Sequence, residues 1–263
     1  MSDLDTASPE TAYLWGYVAG DGAVRSGDAP ATGESGAESV EAAGLRLTAP
    51  DETSAERLAA IAGRSAVERE VTDREYLHDT SITRREESFV VDVAGDFAAA
   101  AERFGVPVDG ETADETGTEP ETGTERETET GSEASEESEP APAYDFDALA
   151  DHPRPLLRGI VESTGTVCFK SSSGTVGLSV VHESRQFLRR VQELLDALPV
   201  AAPTGDVAEA SSGYWFGVDD EAVPAVGAAI YEDCETFELF APTRRRKLRR
   251  SLNQADVEVT ARV

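Results

Sequence analysis

Apolar positions along the chain fall into two series of short periodic stretches, with a polar tract between them. In the first series, residues 9–20 form an apolar helical run with a central glycine. Ser8 is placed to cap it, and Pro9 and Glu10 fill its first turn. A short strand follows near Ala23–Arg25, then a Gly/Ala/Ser-rich loop over 26–39 and a strand over 40–47. Asp51 opens a helix reaching Ala62, with Ala55, Leu58, Ala59 and Ala62 on one face. Strands are predicted over 66–71 and 88–93, then a helix capped by Asp96 and running through Phe104. Gly105 and Pro107 stop it. The second series predicts a helix over 153–163, strands over 166–169 and 176–181, and an amphipathic helix over 185–198. Strands over 206–210 and 214–218 and a helix over 221–231 complete it.

The two series are copies of one plan. YLWGYVAGDGAV (Tyr13–Val24) matches PLLRGIVESTGTV (Pro155–Val167) at a constant offset: Gly16 with Gly159, Asp21 with Thr164, Gly22 with Gly165. Each copy reads αββαββα, so the fold class is α+β, two pseudo-symmetric repeats packed through their first helices. Small residues at Gly16 and Gly20 in one helix, and at Gly159 and Ser163 in the other, allow two backbones to approach closely. The predicted organisation is a first repeat over 1–108, an acidic linker over 109–143, a second repeat over 144–240 and a basic C-terminal segment over 241–263. The linker carries twelve acids against Arg126 alone between Glu111 and Pro140, with no aromatic residue, and is expected to be disordered.

Charge narrows the picture. The 263 residues carry a formal net charge of −29, and Lys170 and Lys247 are the only lysines. Excess acid with little Lys resembles the proteome style of salt-accumulating archaea, where carboxylates keep a surface hydrated although molar salt screens charge beyond roughly 3 Å. Cys168 and Cys234 form no CxxC pair and are read as reduced small hydrophobes in a cytoplasmic protein. No Cys/His cluster has zinc spacing. The N-terminus lacks the basic and apolar regions of a signal peptide, and no apolar run reaches the roughly 20 residues of a membrane span.

LWGYVAGDG (Leu14–Gly22) and LRGIVESTG (Leu157–Gly165), each opening an αββαββα unit, resemble the LAGLIDADG homing endonucleases in their single-chain, two-repeat form. The resemblance implies a monomer with internal pseudo-two-fold symmetry and a saddle of strands for double-stranded DNA. It also implies an acid at the end of each first helix, the two holding Mg²⁺ that activates water against a phosphodiester. Asp21 stands at the first of these positions and would be the catalytic acid and metal ligand. Thr164 replaces the second. Glu162 lies two residues earlier, about 200° round the helix at about 100° per residue, and is expected to point away as a solvated or capping carboxylate.

Nucleic-acid contacts require cations. Arg25, Arg46, Arg64, Arg69, Arg74, Arg84 and Arg85 lie in or beside the first-repeat strands, interleaved with acids, whereas the second-repeat strands offer only Lys170. In GYWFG (Gly213–Gly217) the alternation puts Tyr214 and Phe216 on one face and Trp215 on the other. The run TRRRKLRRSLNQ concentrates Arg244, Arg245, Arg246, Lys247, Arg249 and Arg250. It reads as a solvated helix or tail, as a nucleic-acid contact, or as a dock for the acidic linker. The missing second acid predicts a non-catalytic protein with a binding or regulatory role and no cofactor, nucleic acid being one ligand. The alternatives are an active Mg²⁺-dependent endonuclease and a metabolic accessory protein, for example of a cobalamin operon, that takes a small ligand between the repeats.

Overall fold

The computed structural model describes residues 4–25, 43–63, 67–76, 79–108, 144–211, 213–232, 234 and 240–255, with backbone alone over 72–76 and 79–86. The acidic linker and the loop over 26–39 lie outside the described residues. So do the side chains of Arg64, Arg74, Arg84 and Arg85.

The first repeat runs α1 (Pro9–Asp21), β1 (Gly22–Arg25), β2 (Gly44–Ala49), α2 (Glu52–Ile61), β3 (Glu68–Tyr76), β4 (Asp79–Ala94) and α3 (Ala98–Arg103). The second runs α4 (Pro153–Thr164), β5 (Gly165–Lys170), β6 (Thr175–His182), α5 (Arg185–Asp196), β7 (Ala208–Ala210), β8 (Gly213–Val218) and α6 (Val223–Ile230). A further helix, α7, spans Thr243–Gln254. The two four-stranded antiparallel sheets have the same order, β1-β2-β4-β3 and β5-β6-β8-β7. This is the two-repeat α+β architecture the sequence predicts.

Local chemistry accounts for the element ends. The hydroxyl of Ser8 accepts a hydrogen bond from the Thr11 N–H at 3.1 Å, and Asp51 accepts one from the Ser54 N–H at 2.9 Å. Asp96 caps less directly than expected: its carboxylate takes the Ala98 N–H at 3.1 Å and the helix begins at Ala98. The larger departure is the β3–β4 hairpin, far longer than the predicted strands over 66–71 and 88–93. Its extra residues are mostly polar in sequence, with no regular alternation, and the antiparallel backbone ladder identifies them as strand.

Alternation does place the core. Val24, Leu45, Leu47, Val91 and Val93 face inward from the first sheet, as do Val167, Leu178, Val180 and Phe216 from the second. Against them pack Ala55, Leu58 and Ile61 of α2 and Phe187, Leu188 and Val191 of α5, within one continuous buried cluster. Phe216 is fully buried while Trp215 remains 42% exposed, as the GYWFG alternation requires. Cys234 is buried, but Cys168 is exposed because its position on β5 faces away from the core.

Candidate site at the paired helix ends

The two repeats meet through α1 and α4, which pack against each other through their glycines. A Cβ added at Gly159 would lie 2.7 Å from the Tyr17 nitrogen and 3.0 Å from the Gly16 carbonyl carbon, and would also strike the Tyr13 carbonyl oxygen. One at Gly16 would strike the Leu156 carbonyl oxygen. Near the helix ends, Gly20 faces Ser163 and would bring a Cβ to 3.3 Å from Thr164 Cγ2. Gly22 and Gly165 end the two helices in matching fashion, their N–H groups donating to the carbonyls of Val18 and Val161. Asp21 and Thr164 are therefore equivalent terminal residues of two abutting helices.

Their chemistry differs. Asp21 is exposed, yet partial desolvation raises its pKa, with the positive charge of Arg244 acting against that rise. The Thr164 hydroxyl donates to the Val181 carbonyl, a bond internal to the second repeat. Glu162 is buried, unlike the exposed Asp21. It is 1% exposed, and its carboxylate accepts hydrogen bonds from the Tyr231 hydroxyl at 2.6 Å and from the backbone N–H groups of Arg244 at 2.8 Å and Arg245 at 3.0 Å. The expectation of a solvated carboxylate is thus corrected. Glu162 is a capping acid, and the helix it caps is α7, not its own. Burial pushes its pKa up to about 7, against the pull of those three hydrogen bonds.

The basic run is correspondingly no free tail. Leu248, Ser251 and Leu252 of α7 are buried, and Leu248 fills the space above Gly227 on α6. The start of α7 is pinned from both repeats. Thr243 donates to Asp51 and lies 2.8 Å from the Ser54 hydroxyl, while the Ala241 N–H donates to the Tyr13 hydroxyl at 2.7 Å. Three arginines at a helix N-terminus oppose its dipole, and the Glu162 carboxylate supplies the negative charge that end favours.

Arg158, one turn before Glu162 on α4, does the converse work. It is 4% exposed. Its Nε and Nη2 donate to the Ile230 carbonyl at 3.0 and 2.8 Å, and Nη2 also reaches the Glu232 carbonyl at 3.0 Å, so the guanidinium closes the end of α6. Sequence reasoning missed Arg158, Tyr231 and Tyr13. The available signal was the polar pair Arg158/Glu162, at i and i+4 inside an otherwise apolar run.

The donor set does not fit a two-acid metal centre. One carboxylate is present, the facing hydroxyl is directed to a carbonyl, and the nearby acid is fully engaged. Among the described residues no three His, Cys, Asp or Glu side chains are grouped so as to hold a metal ion.

Those predicted strand cations whose side chains are described are also engaged. Arg25 pairs with Asp92 at 2.5 Å, and Arg46 pairs with Glu70 and, at 3.5 Å, with Asp92. Lys170 pairs with Asp220 at 2.7 Å, and Arg69 with Glu87. On α7, Arg245 lies over the Phe240 ring, whereas Arg246 and Lys247 are exposed.

Two equivalent αββαββα units joined through glycine-packed helices, whose matching ends carry Asp21 and Thr164, define the homing-endonuclease class of fold. A family model described as "putative archaeal homing endonuclease" matches residues 1–116 and 125–258, and the chain belongs to that LAGLIDADG family. Among solved structures, the homing endonuclease I-WcaI bound to its DNA recognition sequence is similar at a TM-score of 0.52 and 8% identity, over 92% of this chain and 87% of that one. I-DmoI in complex with DNA and Mn gives a TM-score of 0.42 and 12% identity, over 88% of this chain and 98% of that one. No curated protein matches the chain significantly. Among the described residues no helix is long and apolar enough to cross a membrane.

Proposed function

We propose that this chain is a non-cleaving member of its family that binds nucleic acid in a binding or regulatory role, working as a single chain in a salt-rich cytoplasm. The observation that carries the reading is the state of the second acid position. Thr164 holds it, its hydroxyl is directed to the Val181 carbonyl, and Glu162 is buried beneath α7. A lone carboxylate at Asp21 leaves half of a two-acid centre. Membership of a homing-endonuclease family supports nucleic acid as the ligand, and two repeats in one chain support action without a second copy. The net charge of −29 supports adaptation to concentrated salt.

The test is cleavage of a randomised duplex library in molar KCl with Mg²⁺ or Mn²⁺. No strand breaks above background are expected. Specific double-strand cuts that vanish in Asp21→Asn would overturn the reading.

A further inference from the structure

The sequence concentrates positive charge in one place, and the structure divides that charge in two. At about 100° per residue, Arg246, Lys247, Arg249 and Arg250 fall on one side of α7 and Leu248, Ser251 and Leu252 on the other. The second group is buried, the first exposed. None of the four exposed cations forms an ion pair with a described residue, whereas every described Arg or Lys side chain on a strand does. A chain with 52 acids places none in this helix. Like charges at i, i+3 and i, i+4, as in Arg246/Arg249 and Arg246/Arg250, repel along a helix face. Among the described residues the Asp51 carboxylate feels the charge of Arg246, but no carboxylate forms an ion pair with any of the four.

We infer that the outward face of α7 is a contact surface for the phosphate backbone of duplex DNA, taking over from the strand face on which the family fold would place it. The inference rests on the proposed nucleic-acid binding and assigns its location. An acidic protein is the weaker match. Protein interfaces use Arg, but around aromatic and apolar anchors, and this face offers no such anchor, only Arg, Lys and Asn253. Phosphate binding needs charge without such anchors. The twelve residues of α7 extend about 18 Å at about 1.5 Å each, enough to follow several phosphates. The acidic body repels DNA over a Debye length of about 10 Å at 0.1 M salt, but only about 3 Å at 1 M, so contact must come from a local, anchored patch on a helix that itself carries no acid. The bonds of Glu162, Tyr13 and Asp51 provide that anchoring.

The experiment measures fluorescence anisotropy of a labelled 30-bp duplex across a KCl series. It uses the full chain, a Lys247→Gln/Arg249→Gln/Arg250→Gln variant and an Arg46→Gln/Lys170→Gln variant. Circular dichroism confirms that each is folded. The slope of log affinity against log salt should fall by about 0.9 per α7 side chain removed and stay unchanged in the strand variant. A slope lost in the strand variant and kept in the α7 variant would overturn the location while leaving nucleic-acid binding standing. Absence of duplex binding by the wild-type chain at every salt concentration would overturn both. Displacement of bound duplex by an equal charge concentration of polyglutamate would make an acidic protein the occupant and overturn the inference.

Discussion

Arg158 and Glu162 stand one turn apart on α4, both buried, and each closes the end of a different helix. The cation meets the carbonyl end of α6 and the carboxylate meets the amide end of α7. Each group thus lies against the helix terminus of opposite partial charge, which offsets part of the cost of burying its charge. One turn of α4 thereby ties the end of α6 and the start of α7 to the helix pair.

Arg158→Met should therefore destabilise strongly. It leaves the Ile230 and Glu232 carbonyls without donors, a loss of about 2–3 kcal/mol. Arg158→Lys should recover only part of this, because an ammonium cannot reproduce the planar fork. Denaturant midpoints of the three proteins, compared at equal slope, check the ordering.

Glu162 should make stability pH-dependent. Its folded-state pKa of about 7 lies above the ordinary 4.5, so between those values the folded protein holds a proton that the unfolded chain has released. That contribution is fully present below about pH 4.5 and is lost as pH rises through about 7, an effect on the order of 3 kcal/mol. Asp21, raised by burial, acts in the same direction. Asp51 is held low because hydrogen bonds from Thr243 and Ser54 outweigh its burial, and its contribution is lost only as pH falls through its depressed value. Unfolding of Glu162→Gln in urea at pH 5 and pH 8 should show a smaller difference than the wild type. An equal difference would remove Glu162 as the cause.

At the helix pair, Gly159→Ala should cost on the order of 1–3 kcal/mol, because the new methyl meets backbone atoms of α1 that cannot move alone. Gly205→Ala is the matched control. Its nearest neighbour would be the Gly217 carbonyl oxygen at 3.9 Å, so its melting temperature should stay close to that of the wild type.

Metal response should track the acid count at the helix ends. Mn²⁺ should shift the melting temperatures of the wild type and Asp21→Asn equally. Thr164→Asp should gain an additional upward shift, since two carboxylates then share the site and a divalent cation relieves their repulsion. Without metal, that variant should melt below the wild type, because it loses the bond to Val181 and adds a like charge.

The element order, the shared repeat, the glycine interface and the pairing of Asp21 with Thr164 at equivalent helix ends were all legible in the chain. Each is written in local periodicity or in a residue type at a fixed offset, and local backbone physics acts on those alone. The length of the β3–β4 hairpin was not legible, because a mostly polar run carries no periodic signature and is defined as strand by its partner.

The site depended still more on tertiary structure. Glu162 and Arg244 are 82 residues apart, Arg158 and Ile230 72, and Tyr13 and Ala241 228. The pairing of Arg46 with Glu70 and of Lys170 with Asp220 likewise joins different parts of each repeat. Sequence alone fixed which charges exist. Which are buried against helix ends, which are paired on the strands and which stand exposed on α7 depends on distances between segments, and those are set only when the two repeats and the last helix close around α1 and α4.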